Sequence, residues 1–226
     1  MSDSLPNCPF HAYALTGDLV SSRKAENRQK LGDLIRRCLK AINARFSNEF
    51  YGPLALTRGI DELSALLRRP RAAFDMMVAI NLAVWPETFR FALAEGTIDV
   101  VGSTGRSADM DGPAFHRGAD AQERARENKL MLAVHFDSRD AAETQMVEQM
   151  ATLYCRLMET WTPGVAPAIR HYRPLDGSQP TQAQVARVLN CSQQAVSEAH
   201  RRGHLDVLLA TERVLRNGLD FMEKPS

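Results

Sequence analysis

Apolar positions in this chain change rhythm several times, and each change marks an element. His11 to Thr16 is a short, mostly apolar run stopped by Gly17-Asp18, which predicts a buried strand ending in a polar turn. From Glu26 to Phe46 the residues Leu31, Leu34, Ile35, Cys38, Leu39, Ile42 and Phe46 recur at spacings of three and four, an amphipathic helix. Tyr51-Gly52-Pro53 interrupts, and Leu54–Thr57 and Leu63–Leu67 then flank Gly59-Ile60-Asp61-Glu62 as two antiparallel strands around an acidic turn. Arg71 to Trp85 reads as a helix closed by Pro86, since the residue before a proline disfavours helical geometry. Phe89–Val101 returns to strand, Gly102–Gly112 is a polar Gly-rich loop, Pro113–Lys129 a charged helix, and Leu130–Phe136 a strand. Ser138 is placed to cap a long helix from Arg139 to about Glu159, with Met146, Met150, Leu153, Leu157 and Met158 as its apolar stripe. Beyond Trp161-Thr162-Pro163-Gly164 the pattern is helical throughout, with Pro167 an irregularity inside the first of those helices. Strands alternating with helices and containing an adjacent-strand hairpin predict an α+β sheet with covering helices, followed by a small all-α part. The expected division is 1–137 for the α+β domain, 138–160 for a connecting helix and 161–226 for the helical domain.

Composition narrows the function classes. A chain of 226 residues, 44% hydrophobic and 24% charged, is expected to be a soluble globular protein, and its formal net charge of +1 excludes a strongly basic nucleic-acid coat, a polybasic membrane binder and an acidic disordered tail. Cys8, Cys38, Cys155 and Cys191 are far apart with no ligand spacing, and read as reduced thiols in a cytoplasmic protein. Neither a signal peptide nor an apolar run of about 18 residues is visible, so no membrane partner is expected. No nucleophile triad, phosphate-binding loop or dinucleotide fingerprint can be read. His116 is expected at the surface, His135 in its strand is expected to be structural, and Trp85 and Trp161 anchor helix ends.

Thr181 to Arg202 has the grammar of a helix-turn-helix. Thr181 caps a short helix with Val185, Ala186 and Leu189 inside, Asn190-Cys191 makes the turn with Cys191 as a small apolar plug, and Ser192 caps a second helix packed through Val196. Thr181, Gln193, Gln194, Ser197, His200, Arg201 and Arg202 are then the expected DNA contacts, because Gln pairs bidentately with adenine, and Arg with guanine or phosphate. The segment is not strongly basic: from Trp161 onward 8 Lys and Arg stand against 6 Asp and Glu.

The first domain offers a second chemistry. Asp18 at a strand end and Asp61 in the hairpin turn suit magnesium, which takes one or two carboxylates together with phosphate oxygens and waters. Ser21, Ser22 and Arg23 follow directly, where a strand-to-helix loop offers donors and a cation to the phosphates of a nucleotide.

Thr16-Gly17-Asp18-Leu19-Val20-Ser21-Ser22-Arg23, Gly59-Ile60-Asp61-Glu62-Leu63, Arg90-Phe91-Ala92-Leu93-Ala94-Glu95-Gly96, Asp111-Gly112-Pro113-Ala114-Phe115 and the terminal helix-turn-helix resemble, in that order, the SatD family of bacterial proteins. That family in turn looks like a distant relative of the class III nucleotide cyclase and diguanylate cyclase (GGDEF) fold. The resemblance implies a first-strand and a hairpin aspartate binding metal, here Asp18 and Asp61. It also implies an Asn and an Arg on a late helix to hold a transition state, where this chain offers Arg117, Arg124, Arg126 and only a terminal Asn128. The hairpin Gly59-Ile60-Asp61-Glu62-Leu63 is, too, one residue longer than, or shifted from, the family's Gly-Asp-Glu-Phe. These readings lead to a bacterial DNA-binding regulator, a homodimer, whose cyclase-like domain senses a nucleotide or metal. The alternative is a metal-dependent nucleotide-processing enzyme with the helical tail as a docking module.

Overall fold

The computed structural model describes residues 8–20, 28–102, 105, 107–137 and 140–221. Strands are β1 (Phe10–Val20), β2 (Phe50–Arg58), β3 (Glu62–Leu67), β4 (Thr88–Ile98), β5 (Val100–Val101), β6 (Met110–Asp111) and β7 (Leu132–His135). Helices are α1 (Arg28–Arg45), α2 (Arg71–Val84), α3 (Pro113–Glu127), α4 (Ala141–Glu159), α5 (Ala166–Tyr172), α6 (Gln182–Val188), α7 (Gln193–Arg202) and α8 (Leu205–Phe221). The main sheet runs β2-β3-β1-β4-β7; all neighbours are antiparallel except β4 and β7, which are parallel and joined through α3. β5 and β6 form a separate short ribbon.

β1 does not stop at Gly17. It continues to Val20, paired on both sides, with Asp18 opposite Glu62 of β3 and Arg90 of β4. Gly17 is a packing slot, since a Cβ there would sit 3.0 Å from both the Leu63 side chain and the Phe91 ring. Asp18 is therefore an interior strand residue and not a turn former.

Strand alternation sends Tyr13, Leu15 and Leu19 into the core beneath α1 and α2, and Ala12, Ala14, Thr16 and Asp18 toward α3. Small residues on that second face let α3 ride close to the sheet; a Cβ on Gly96 would come 2.5 Å from the Ala114 nitrogen.

Two expectations change in the helical half. α4 starts at Ala141 and is capped by Asp140, whose carboxylate accepts from the Ala142 N–H at 3.1 Å; Ser138 lies outside the described residues. The buried face of α4 is Val147, Glu148, Ala151, Tyr154, Cys155 and Met158, so the expected stripe holds at Met158 and half-buried Met150 and Leu157 but fails at Met146, 62% exposed, and Leu153, 71% exposed. The phase is hidden because Glu148 is inside, clasped by both Nη atoms of Arg124 at 3.0 and 2.7 Å and accepting from the Val134 N–H at 2.8 Å.

The core also does not break near residue 160. Val165, Ala166 and Ile169 around α5, and Leu205, Leu208, Leu215 and Leu219 of α8, belong to the same cluster as the sheet residues. Trp161 reinforces this continuity by donating its indole N–H to the Gly203 carbonyl at 3.2 Å, and Trp85 donates to Met158 O at 3.2 Å. Pro167 falls in the first turn of α5, where a missing N–H costs no helical hydrogen bond. No described helix is long and apolar enough to cross a membrane.

Candidate functional sites

Asp18 lies at the base of a cleft of about 220 Å³ between β1, β3 and α3, lined also by Glu62, Ser64, Phe115, Gln122 and Arg126. Its carboxylate is already engaged. Arg90 donates from Nε to Oδ1 at 3.1 Å and from Nη2 to Oδ2 at 3.0 Å, Gln122 Nε2 donates to Oδ1, and Arg126 Nε approaches Oδ2 at 3.4 Å. Gln122 in turn accepts from the Thr16 hydroxyl at 3.0 Å. Two guanidiniums around one largely buried carboxylate neutralise it and occupy both oxygens.

Asp61 is not its partner. The Asp61 carbonyl accepts from the Leu19 N–H at 2.8 Å, yet its carboxylate is paired with Arg28 at the start of α1, at 2.9 and 3.2 Å. The hairpin shift seen in the sequence has this consequence: Glu62, opposite Asp18 in register, lines the cleft, and Asp61 does not. Among the described residues no group of three or more His, Cys, Asp or Glu side chains is placed to hold a metal. Ser21, Ser22 and Arg23 lie outside the described residues.

The three arginines of α3 are all occupied. Arg117 pairs with Asp137 at 2.7 Å and donates to the Glu95 carbonyl, Arg124 holds Glu148, and Arg126 bridges Asp18 and Glu123. Asn128 spends its side chain on the Arg124 carbonyl at 3.0 Å. His116 is exposed beside Asp111, and His135 lies 3.4 Å from Asp137.

In the C-terminal part, α5, α6 and α7 pack around Ala168, Val185, Ala186, Val196 and Ala199. Thr181 caps α6 in a reciprocal box with Gln184, at 3.2 and 2.7 Å, and Ser192 caps α7 by accepting from Ala195 N at 3.1 Å. Gln193, Gln194, Ser197, Arg201 and Arg202 are exposed along α7. His200 is not: it is buried against Tyr172, with ring centroids 4.6 Å apart, and Gln182 Nε2 lies 3.3 Å from its Nδ1. Burial holds the His200 pKa below its ordinary value, so the ring is a neutral packing residue. Cys191 is exposed and not a plug, whereas Cys38 and Cys155 are buried with their thiols pushed up to about 12 by burial. Arg201 and Arg202 both donate to Glu198, at 2.6 to 2.8 Å, and hold its carboxyl down at about 2.

The model of the SatD family matches residues 12–214. The chain belongs to the SatD family. No curated protein matches this SatD-family chain. Solved structures similar to it include a bacterial light-regulated adenylyl cyclase, at 14% identity and a TM-score of 0.38, covering 56% of this chain and 44% of the other. A second structure described in the same terms gives 17% and 0.36, covering 56% and 44%. The guanylyl cyclase Cya2 gives 15% and 0.37, covering 51% of this chain and 71% of that one. The SatD-family protein thus spans less than half the length of the light-regulated cyclases it is similar to.

A third constellation in this SatD-family protein was not read from its sequence. Glu212 of α8 is fully buried and accepts from the Tyr154 hydroxyl at 2.6 Å, from Arg173 Nη2 at 2.7 Å and from Arg216 Nη2 at 3.0 Å; Arg216 also pairs with Asp75 of α2 at 2.7 Å. Only the four-residue spacing of Glu212 and Arg216 signals it in the sequence. The cluster joins α2, α4, the end of α5 and α8.

Proposed function

We propose that this chain is a DNA-binding regulator in which α7 is the recognition helix and the sheet domain is a non-catalytic sensor. The observation that carries the proposal is the two-sided character of α7. Its inner face, Val196, Ala199 and His200, is locked into the three-helix core, while Gln193, Gln194, Ser197, Arg201 and Arg202 face outward. Recognition helices present base-edge contacts from their N-terminal residues and phosphate contacts along their length. Gln193 and Gln194 suit the first role, Arg201 and Arg202 the second. The Thr181 hydroxyl, which accepts from Gln184 N, keeps its proton for a phosphate. The pairing of both arginines with Glu198 is a surface interaction of small net worth, exchangeable for phosphate. His200, being buried, is no part of the contact set.

Among the described residues, the metal site expected for turnover on a nucleotide is not assembled. Magnesium held by Asp18 and Asp61 does not fit the residues present, because Asp18 is saturated by Arg90, Arg126 and Gln122 while Asp61 is held by Arg28. The metal-dependent enzyme is therefore the weaker reading. A homodimer follows from the need for two recognition helices on a two-fold site, and the exposed Met146 and Leu153 of α4, flanked by half-buried Met150 and Leu157, supply an apolar face for it.

Fluorescence anisotropy with genomic DNA fragments tests the main claim. Wild-type protein should bind at low salt, and Arg201→Ala with Arg202→Ala should flatten the logarithmic salt dependence by about one unit per lost phosphate contact. Wild-type protein that leaves every fragment free at low salt sinks the proposal. Light scattering at micromolar concentration should report twice the chain mass, and a clean monomer that DNA does not change counts against the dimer.

A further inference from the structure

A second, roomier cavity lies elsewhere, between α1 and α2 on one side and the end of α5, the loop after it and α8 on the other. It has a volume of about 650 Å³, within the roughly 300 to 1,000 Å³ of sites that enclose small organic molecules, which favour such junctions. Its apolar lining comes from Val78, Ala79 and Leu82 of α2, Leu209 of α8 and Tyr172.

The charges in it sort into spent and unspent. Glu212 is neutralised by Arg173 and Arg216, and Asp75 by Arg216. Arg45 and Arg213 also line the cavity, are exposed, and form no ion pair among the described residues. Arg45 packs on the Phe46 ring, 4.8 Å from its centroid, and lies near Asp176, whose carboxylate is itself engaged by the Ser178 N–H at 2.9 Å. Against these two cations the remaining acidic residue of the lining is Asp206, at the start of α8. A cation entering here would find Asp75 and Glu212 already satisfied and Asp206 alone to meet it, against two exposed guanidiniums. An anion would find two guanidiniums, each able to donate charge-assisted hydrogen bonds.

We propose that this cavity is a binding site for a small organic anion, with an aromatic or aliphatic body against Leu82, Leu209 and Tyr172 and an acidic group held by Arg213 and Arg45. One wall of the site also touches the α5–α7 cluster, because Tyr172 packs on His200 of α7. An occupant that shifts Tyr172 therefore bears on the helix assigned to DNA; this last link, and only this one, rests on the proposed function.

The test uses the full-length protein without DNA, so that its failure and the failure of DNA binding are separately visible. The probe is 8-anilinonaphthalene-1-sulfonate, an aromatic body with one anionic group, titrated by fluorescence. Wild type should bind it saturably, one per chain. Arg213→Gln and Arg45→Gln, both surface changes, should each weaken it by about tenfold, and Ala79→Phe, which fills the cavity, should abolish it. Leu153→Glu on the exposed face of α4 should leave it unchanged. Neutral N-phenyl-1-naphthylamine should bind at least about tenfold more weakly than the sulfonate. No saturable binding, wild-type affinity in both arginine variants, or loss on Leu153→Glu alone would place the dye outside the cavity and overturn the proposal. Equal binding of the neutral dye would overturn the assignment to an anion.

Discussion

Asp18 and Glu212 are the same chemical device in two settings. Each is a buried or largely buried carboxylate clasped by two arginines and a neutral donor, Gln122 for Asp18 and the Tyr154 hydroxyl for Glu212. Around Asp18 all partners come from the sheet and α3, and the cluster takes up the charge at the base of the cleft between β1, β3 and α3. Around Glu212 the partners come from α2, α4, the end of α5 and α8, and the cluster leaves two further arginines on the wall of an open cavity. A satisfied carboxylate thus has no fixed meaning. What decides is whether its cluster uses up the local charge or leaves some over.

The sharpest way to break this comparison is Glu212→Ala. Two guanidiniums would lose a fully buried counter-ion, and removal of one partner from such a cluster costs about 3–5 kcal/mol. Denaturant unfolding should show that loss, and a cost below about 1 kcal/mol would mean the arginines simply turn outward to water. The next largest effect is expected from Asp18→Asn, at roughly 1–3 kcal/mol, because an amide cannot accept from both arginines and Gln122 as a carboxylate does. A stabilised variant would reveal instead a carboxylate under repulsion from Glu62, as an empty metal site would contain. The smallest is the response of the three-helix cluster to acid. Burial lowers the His200 pKa below its unfolded value of 6.5, so the unfolded chain binds more protons in that range. The stability that neutral His200 contributes is complete above about pH 6.5 and is lost as the pH falls from there through the folded pKa. Unfolding free energies at pH 7.5 and 5.5 should differ less in His200→Gln than in wild type; an unchanged difference would assign the acid response to other groups.

These contrasts also mark what could be read from residue order. The hairpin, α2 and the caps at Thr181 and Ser192 were legible because each rests on neighbours a few residues apart. The phase of α4 was not, since placing Glu148 inside requires Arg124, 24 residues away, to meet it. The choice between Asp61 and Glu62 turned on the pairing register of β3 with β1, where a shift of one residue sends a side chain to the other face. The saturation of Asp18 depended on Arg90, Gln122 and Arg126, which only the finished sheet and α3 bring to it.

The docking of α8 onto α2 and α4 has a consequence for the order in which the protein is made. The last strand of the main sheet ends at His135, but Leu208, Leu215 and Leu219 of the same core emerge from a ribosome only at the far end of the described chain. During synthesis the face of α2 that packs on α8 therefore waits for a closing helix that arrives about seventy residues after β7. Translation itself thus passes through a sticky, half-finished intermediate, and a ribosome that stalls before α8 leaves chaperones and proteases an exposed apolar groove to seize.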